Sequence, residues 1–343
     1  MCAAQAFASS LEESGAVSRV GRIRVVLYGS LSLTGLGHGT DRAILAGLEG
    51  NVPATVDTDY LLSVRERCAH DGTIHVNGTN AIAYDDDGDM VFDRWKRLAP
   101  HPNGMRFQAF DAQGNIIDEQ VWYSIGGGFI RRGRIDDALI SNHEQTPASS
   151  QSPEDSGNDE AAEYGDGVPY PFVSCDGLID LCRKHHLSIA DVVWANETAR
   201  RSPQEVRDRL TRIWNVMSHC IDAGCASATP TLPGGLDVPR RAPLMYRRLA
   251  ANSDVLRRDR RISSALESSD SAWVALFAMS VSEENAGGGR VVTAPTNGSA
   301  GIIPAVLEYY WHFVESADDE GVRTFLLTAG AVGYLFKRNA SIS

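Results

Sequence analysis

The segment 283–307 combines residue types that can bind a small anion. Its sequence is EENAGGGRVVTAPTNGSAGIIPAVL. Three consecutive glycines, Gly287, Gly288 and Gly289, lie among the polar residues Asn285, Arg290, Thr293, Thr296 and Asn297. Glycine lets backbone N–H groups approach a ligand closely, and these groups donate hydrogen bonds to anions. An ordinary turn between two helices needs fewer glycines and fewer hydrogen-bonding groups. The segment therefore predicts a binding loop for a small anion, with an ordinary turn as the alternative.

Apolar residues on both sides of this loop follow the period of an α-helix. Before the loop, Trp273, Phe277 and Val281 recur at four-residue spacing. After it, a second helix is predicted to begin near Pro304. The unpaired N–H groups and the dipole at the start of a helix favour an anion, and a carboxylate is as suitable as a phosphate. Because no Gly-Lys-Ser/Thr follows the glycines, the segment is not a nucleotide phosphate loop.

A histidine between two glycines marks a second candidate site. His38 lies in the sequence GLGHGTD, after a predicted strand at 23–33 and before a predicted helix at 43–48. The flanking glycines leave little packing around the imidazole, so His38 is predicted to act as an acid or base, with Asp41 as an orienting carboxylate. The alternative is a solvent-exposed turn histidine, with Asp41 as a helix cap.

Composition excludes several classes of protein. A formal net charge of -12 argues against binding to nucleic acid or to an anionic membrane, because both need a basic surface. The N-terminus lacks the pattern of a signal peptide, and no apolar stretch is long enough to span a bilayer. A soluble, cytoplasmic protein is predicted. Its six cysteines are expected to be reduced, and Cys182 and Cys220 fall on apolar helix faces, which argues against metal ligation.

The order of sequence patterns predicts an α+β protein with two domains. Residues 1–140 contain short β-branched runs and predict a mixed α/β domain, whereas residues 169–343 predict a mainly helical domain. Residues 141–168 lack large apolar side chains and predict a flexible acidic linker that a protease would cut. The motif Ser202-Pro203-Gln204-Glu205 predicts a capping box at a helix start in the second domain, with proline at the first helical position.

Three smaller features carry weaker functional predictions. The acidic run 85–89 lacks the spacing of a calcium loop and predicts a solvated hairpin turn. Arg240 and Arg241 follow a Pro/Gly-rich stretch and either face a site or lie in a solvated turn, and the sequence leaves both readings open. His219 lies on the face of a predicted helix and is expected to be structural.

Eight segments in the same order resemble the iron–sulfur-dependent L-serine dehydratases. They are GSLSLTGLGHGTD (29–41), HPNGMRF (101–107), SIGGGFI (124–130), CDGLIDLCR (175–183), WANE (194–197), LPGGLDVPRRA (232–242), EENAGGGRVVTAPTNGSAGIIPAVLEYY (283–310) and FLLTAGAVGYLFKRNASIS (325–343). The resemblance covers almost the whole chain apart from 141–168. It implies an N-terminal domain of serine-binding type followed by a helical catalytic domain, with a homodimer as a candidate assembly.

The resemblance also implies a reaction and a set of site residues. Members of this family remove water from L-serine to give pyruvate and ammonia, and a [4Fe-4S] cluster in them acts as a Lewis acid on the serine hydroxyl. His38 is then the expected base and Asp41 its orienting group. The residues expected to bind the substrate are Asn285, Thr293, Thr296, Asn297, Ser341 and Ser343.

Both ends of the chain depart from the family pattern. Family members open with a segment ending in Ser-Ser-Ser-His-Thr-Val-Gly-Pro-Met, whose last residue corresponds to Met1, and they continue past Ser343 to the cysteines that hold the cluster. From the resemblance we expect no cluster ligands in this chain and no activity of this chain alone. The alternative is a non-catalytic serine-binding fragment or a truncated paralogue, which would bind serine without forming pyruvate.

Overall fold

The computed structural model describes residues 1–141, 167–233, 236–251, 270–292 and 297–339. The chain divides into two compact units, Met1–Ser149 and Ser150–Ile342, and each has its own hydrophobic core. The first unit contains a β-sheet with helices and the second is helical, which confirms the predicted α+β class. The predicted linker, 141–168, lies outside the described residues except at its ends, so its flexibility stays a prediction.

The first unit mixes helices with short strands. In chain order its elements are α1 (Cys2–Glu13), β1 (Arg22–Tyr28), α2 (Gly29–Thr34), α3 (Thr40–Leu48), α4 (Thr58–Asp71), β2 (Thr73–Val76), β3 (Asn80–Ala83), α5 (Asp86–Asp89), β4 (Met90–Asp93), β5 (Lys96–Leu98), β6 (Gly104–Phe110), β7 (Ile116–Ser124), β8 (Ile130–Arg132) and β9 (Leu139–Ser141). Seven of these strands form one sheet in the order β2-β3-β1-β6-β7-β8, with β4 also paired to β1. Strands β5 and β9 form a separate antiparallel pair.

Strand β1 positions the first unit's core because its side chains alternate between the two faces of the sheet. Ile23, Val25 and Leu27 lie on one face and are buried. The strand runs parallel to β4 and antiparallel to β6, where Val25 is paired with Phe107. Helix α1 packs on this face, and the ring of Phe7 stacks on that of Phe107 with centroids 5.2 Å apart. The core thus joins β1 and β6 to the helices that cover them.

The predicted strand 23–33 is wrong over residues 29–33, because the chain enters helix α2 at Gly29. Gly29 has a φ of +55°, and a Cβ there would collide with the carbonyl oxygen of Pro102. The same oxygen accepts a hydrogen bond from the backbone N–H of Ser30 at 3.0 Å. The close approach of a distant segment therefore ends the strand, although its apolar composition continues.

The acidic run 85–89 is also not the solvated hairpin turn that its composition predicted. It forms the short helix α5 between β3 and β4, and both of these strands run parallel to β1. Asp89 is buried and accepts a hydrogen bond from Nε of Arg22 at 2.5 Å. The buried carboxylate of Asp89 is therefore paired with a cation, Arg22, that is far away in the sequence.

The second unit consists of helices whose starts follow their sequence signals. Its helices are α6 (Cys175–His185), α7 (Ile189–Thr198), α8 (Pro203–Ala226), α9 (Ala242–Ala251), α10 (Asp270–Gly287), α11 (Ile302–Phe313) and α12 (Asp319–Asn339). Ser202 accepts a hydrogen bond from the backbone N–H of Glu205 at 3.2 Å, which is one half of the predicted capping box, and Pro203 is the first helical residue as predicted. None of the helices in the described ranges is both long and apolar enough to cross a lipid bilayer.

Helix α10 is central to the second unit because its apolar stripe is buried. Trp273, Phe277 and Val281 lie in one core together with Cys220 of α8 and Ala305 of α11, which confirms the predicted helical period. Helix α11 begins at Ile302, slightly before the predicted start near Pro304. These contacts place the end of α10 and the start of α11 on either side of the glycine-rich loop.

Candidate functional site

The glycine-rich loop begins where helix α10 ends, and Gly288 has a clear structural role there. Gly288 has a φ of +79°, a left-handed conformation that glycine adopts without steric strain. The backbone N–H of Gly289 donates a hydrogen bond to the carbonyl oxygen of Glu284 at 2.8 Å. This is the usual glycine-containing end of a helix, so the alternative of an ordinary turn explains one of the three glycines.

The other two glycines lie against a buried ion pair. Nη1 of Arg240 lies 2.6 Å from Oε1 of Glu284, and the two side chains are 7% and 13% exposed. A Cβ at Gly287 would collide with the guanidinium of Arg240, and a Cβ at Gly289 would collide with the carboxylate of Glu284. The loop backbone therefore lies directly against this pair of charges.

Arg240 and Arg241 have different environments, so they do not act as a matched pair. The side chain of Arg240 is buried, whereas that of Arg241 is 70% exposed. Glu283 accepts hydrogen bonds from the backbone N–H groups of Arg241 at 2.7 Å and Ala242 at 3.2 Å. Because Ala242 is the first residue of α9, this buried carboxylate stabilises the start of that helix.

Two of the six predicted substrate-binding residues lie close together. The side-chain amide of Asn297 donates to Oδ1 of Asn285 at 3.4 Å. Asn285 lies in the last turn of α10, and Asn297 begins a short 3-10 turn just before α11. Thr293, Thr296, Ser341 and Ser343 lie outside the described residues. The structure thus brings the two ends of the loop together through their amides.

His38 lies in the turn between α2 and α3 of the first unit and is exposed. Its Nδ1 is 2.9 Å from the carbonyl oxygen of Thr34. Since a carbonyl oxygen can only accept, a neutral ring in this contact carries its proton on Nδ1 and keeps the lone pair on Nε2. In this arrangement Nε2 is the atom that can accept a proton from a ligand.

Asp41 is bonded to Arg65 instead of His38. It lies in the first turn of α3, is 3% exposed, and its Oδ2 is 2.6 Å from Nη1 of Arg65. The hydrogen bonds of the described residues include none between Asp41 and His38, and the residue before the helix is Gly39 without a side-chain cap. An orienting role for Asp41 stays a prediction.

Arg65 joins Asp41 to a second acidic residue. Its Nη2 lies 2.8 Å from Oδ2 of Asp86, and Tyr84 donates its hydroxyl to Asp86 at 2.7 Å. The hydrogen bonds from Arg65 hold the pKa of Asp86 below its ordinary value, although partial burial opposes this. Sequence reasoning missed Arg65 as a neighbour of a candidate site and left the environment of Arg240 open, because their partners are 24 and 44 residues away and form no local pattern.

The described cysteines do not form a site for an iron–sulfur cluster. Burial raises the pKa of Cys220 to about 12 and that of Cys225 to about 11, which disfavours the thiolate that a metal needs. Cys175 is exposed, and Cys182 packs beside a separate apolar core. Within the described ranges, no three side chains of His, Cys, Asp or Glu form a group that could hold a metal ion.

Known proteins similar to this chain identify its family. Residues 1–134 match the family model described as serine dehydratase beta chain, and residues 184–343 match that of the serine dehydratase alpha chain. The chain is 43% identical over its whole length to L-serine dehydratase of Streptomyces coelicolor and 40% identical to L-serine dehydratase 1 of Escherichia coli, and it spans 68% of each. It is 37% identical to L-serine dehydratase of Haemophilus influenzae and spans 69% of that relative.

A beta-chain region followed by an alpha-chain region in one polypeptide defines the class of the protein, a serine dehydratase and hence a lyase. The protein belongs to the iron–sulfur-type L-serine dehydratase family.

Proposed function

We propose that this protein eliminates water from L-serine. In this reaction the Cα proton goes to a base, hydroxide leaves Cβ with the electrons of the C–O bond, and a double bond forms between the two carbons. The aminoacrylate then rearranges to an imine, which water converts to pyruvate and ammonia. The observation that carries this proposal is the similarity over the whole chain to relatives named L-serine dehydratase.

His38 is the proposed base. The contact of Nδ1 with the carbonyl oxygen of Thr34 supports this role. Of the two neutral tautomers of His38, it favours the one whose lone pair is on Nε2. Asp41 is proposed to orient His38 through the backbone, since its bond to Arg65 holds the first turn of α3 directly after the histidine. A positioned base contributes roughly 10²–10⁴-fold to the rate of proton transfer.

The glycine-rich loop is the proposed site for the ends of the substrate. The amides of Asn285 and Asn297 supply both hydrogen-bond donors and acceptors, so they suit the carboxylate and the ammonium group of serine. Thr293, Thr296, Ser341 and Ser343 are proposed as further binding residues on the resemblance alone. The family implies a [4Fe-4S] cluster as the Lewis acid, and we propose that none of the six cysteines of this chain binds it.

Replacing His38 tests the proposed base. In protein extended at both ends to the family pattern and incubated anaerobically with iron and sulfide, His38→Ala is expected to lower pyruvate formation by about 10²–10⁴-fold, while calorimetry shows unchanged binding of serine. His219→Ala is a matched control, because His219 is also exposed and its Nδ1 also lies 2.6 Å from a carbonyl oxygen four residues earlier. Turnover should be normal in this control.

The outcomes of this experiment decide whether His38 is the base and whether the protein is catalytic. Equal turnover in the two histidine variants would remove His38 as the base. Serine binding by the unmodified protein without any pyruvate, and without deuterium exchange at Cα of serine, would favour the second candidate function, a non-catalytic serine-binding fragment. Pyruvate formation by the unmodified protein excludes that candidate.

A further inference from the structure

Arg240 and Glu284 form an ion pair whose burial needs an explanation. Both side chains are almost fully buried, and Nε of Arg240 is also buried without a hydrogen-bond partner among the described residues. Removing two charges from water has a free-energy cost that their attraction often does not recover. A simple link between two segments could be made from apolar residues at lower cost. The pair is therefore expected to do more than hold the unit together.

The glycines show what the pair contacts. At Gly287 the position of a Cβ is taken by Nη2 of Arg240, and at Gly289 it is taken by the carboxylate of Glu284. The bond from the N–H of Gly289 to the carbonyl of Glu284 places the turn over the same residue. The side chains of Arg240 and Glu284 thus lie where side chains of residues 287 and 289 would otherwise lie.

The segment that carries Arg240 is held at several points. The backbone N–H of Arg240 donates to the carbonyl oxygen of Pro230 at 2.9 Å. The carboxylate of Glu283 accepts hydrogen bonds from the next two backbone N–H groups, those of Arg241 and Ala242. The guanidinium therefore approaches the loop from an anchored segment and has little freedom to move away. Asn285, a proposed substrate residue, directly follows the two glutamates that make these contacts.

We propose that Arg240 is a positioning residue of the serine-binding loop. Its ion pair with Glu284 holds the backbone at 287–289 in the shape that lets Asn285 and Asn297 receive the substrate. This inference rests on the proposed function for its consequence in binding, but its geometric part concerns the loop alone. Arg240 supports the loop through Glu284 and the glycines, and it is not assigned a contact with serine.

Two variants test this role by different routes. Arg240→Met removes the cation, and Gly287→Ala places a methyl group where the guanidinium lies. Each is expected to weaken serine binding in calorimetry by about tenfold or more, because positioning for binding is lost. In protein extended at both ends to the family pattern, KM should rise by a similar factor and kcat should change much less, because the reacting groups remain. Gly333→Ala is the control, since no atom lies within 4 Å of a Cβ built there.

The double variant shows whether the two changes act through one contact. With Arg240 removed, a methyl group at 287 has room, so Arg240→Met/Gly287→Ala is expected to bind serine no more weakly than the weaker-binding single variant. The proposal would be overturned if the double variant lost serine affinity by the product of the two single-variant losses. So would single variants that bind serine as tightly as the control.

Hydrogen exchange tests the loop without any substrate. In Arg240→Met the amide of Gly289 is expected to exchange at least about tenfold faster, because its bond to Glu284 depends on the ion pair. Unchanged protection of this amide would overturn the inference, even if the protein did not bind serine. Faster exchange together with an absence of serine binding in the unmodified protein would instead support the loop geometry and refute the proposed function.

Discussion

At the scale of single residues, the buried carboxylate of Asp41 depends on one cation. Its Oδ2 is bonded to Arg65, and its Oδ1 is buried without a hydrogen-bond partner among the described residues. A buried carboxylate that loses its cation is left with an unfavourable desolvation energy. Arg65 thus stabilises the start of α3, which follows the turn that contains His38.

Replacing Arg65 tests this dependence. Arg65→Met keeps most of the side-chain volume but removes the charge, so the free energy of unfolding is expected to fall by about 2 to 4 kcal/mol. Urea denaturation followed by circular dichroism measures the change. Arg134→Met is the control, because Arg134 and its partner Asp136 are 79% and 70% exposed and such a pair contributes little. Similar losses in both variants would contradict the argument.

At the scale of elements, helices α8 and α10 approach closely at Gly224. A Cβ at this position would lie 2.6 Å from both Cβ and the carbonyl oxygen of Ser280. Ser280 is itself fully buried and bonds through its hydroxyl to the carbonyl of Leu276 at 2.9 Å, so it has no room to move. Gly224 therefore determines how closely α8 can pack against α10, the helix that ends at the glycine-rich loop.

Two glycine substitutions should have opposite effects on stability. Gly224→Ala is expected to destabilise the protein by about 1 to 3 kcal/mol, because the added methyl group overfills the contact. Gly330→Ala in α12 is expected to stabilise it by about 0.5 to 1 kcal/mol, since no atom lies within 4 Å of the new Cβ and alanine favours the helix. Thermal unfolding measures both, and a stabilising effect of Gly224→Ala would refute the close contact.

At the scale of the whole molecule, a buried acid links the stability of the first unit to pH. Glu49 is almost buried and accepts hydrogen bonds from the side chains of Arg67 and Tyr60 and from the backbone N–H of His75. Burial raises the pKa of Glu49, but these hydrogen bonds outweigh burial and hold the pKa below its ordinary value of 4.5. The folded state therefore favours the ionised carboxylate more than the unfolded state does.

The sign of the pH dependence follows from this lowered pKa. The stabilisation is complete above the unfolded pKa of 4.5 and is lost as the pH falls from there through the lower folded value. Denaturation at a series of pH values, followed by hydrogen exchange in peptides of residues 1–141, should show this loss. Glu49→Gln should flatten it, whereas Glu66→Gln, at an exposed position of α4, should leave the profile unchanged. A Glu49→Gln profile identical to that of the unmodified protein would contradict the assignment.

Local sequence patterns predicted much of the fold because they depend on near neighbours. The turn between β6 and β7 is one such local feature, since Asp111 accepts N–H bonds from Gln113 and Asn115 and Gly114 has a φ of +85°. The helix cap at Ser202 formed as predicted for the same reason. The order of strands and helices, and the motifs that point to the family, also lie within short segments that can be read without knowledge of the fold.

Tertiary structure alone decided which charges are buried and which residues surround the candidate loop. Arg240 meets Glu284 from 44 residues away, and Arg22 meets Asp89 from 67 residues away. Strand β1 ends at Tyr28, where Pro102 lies against the backbone of Gly29, and no pattern around residue 29 could show this contact. By itself the sequence determined the elements, the glycines and the chemical groups. The fold determined their partners, because the burial of a charge and the closeness of a backbone contact depend on segments that only folding brings together.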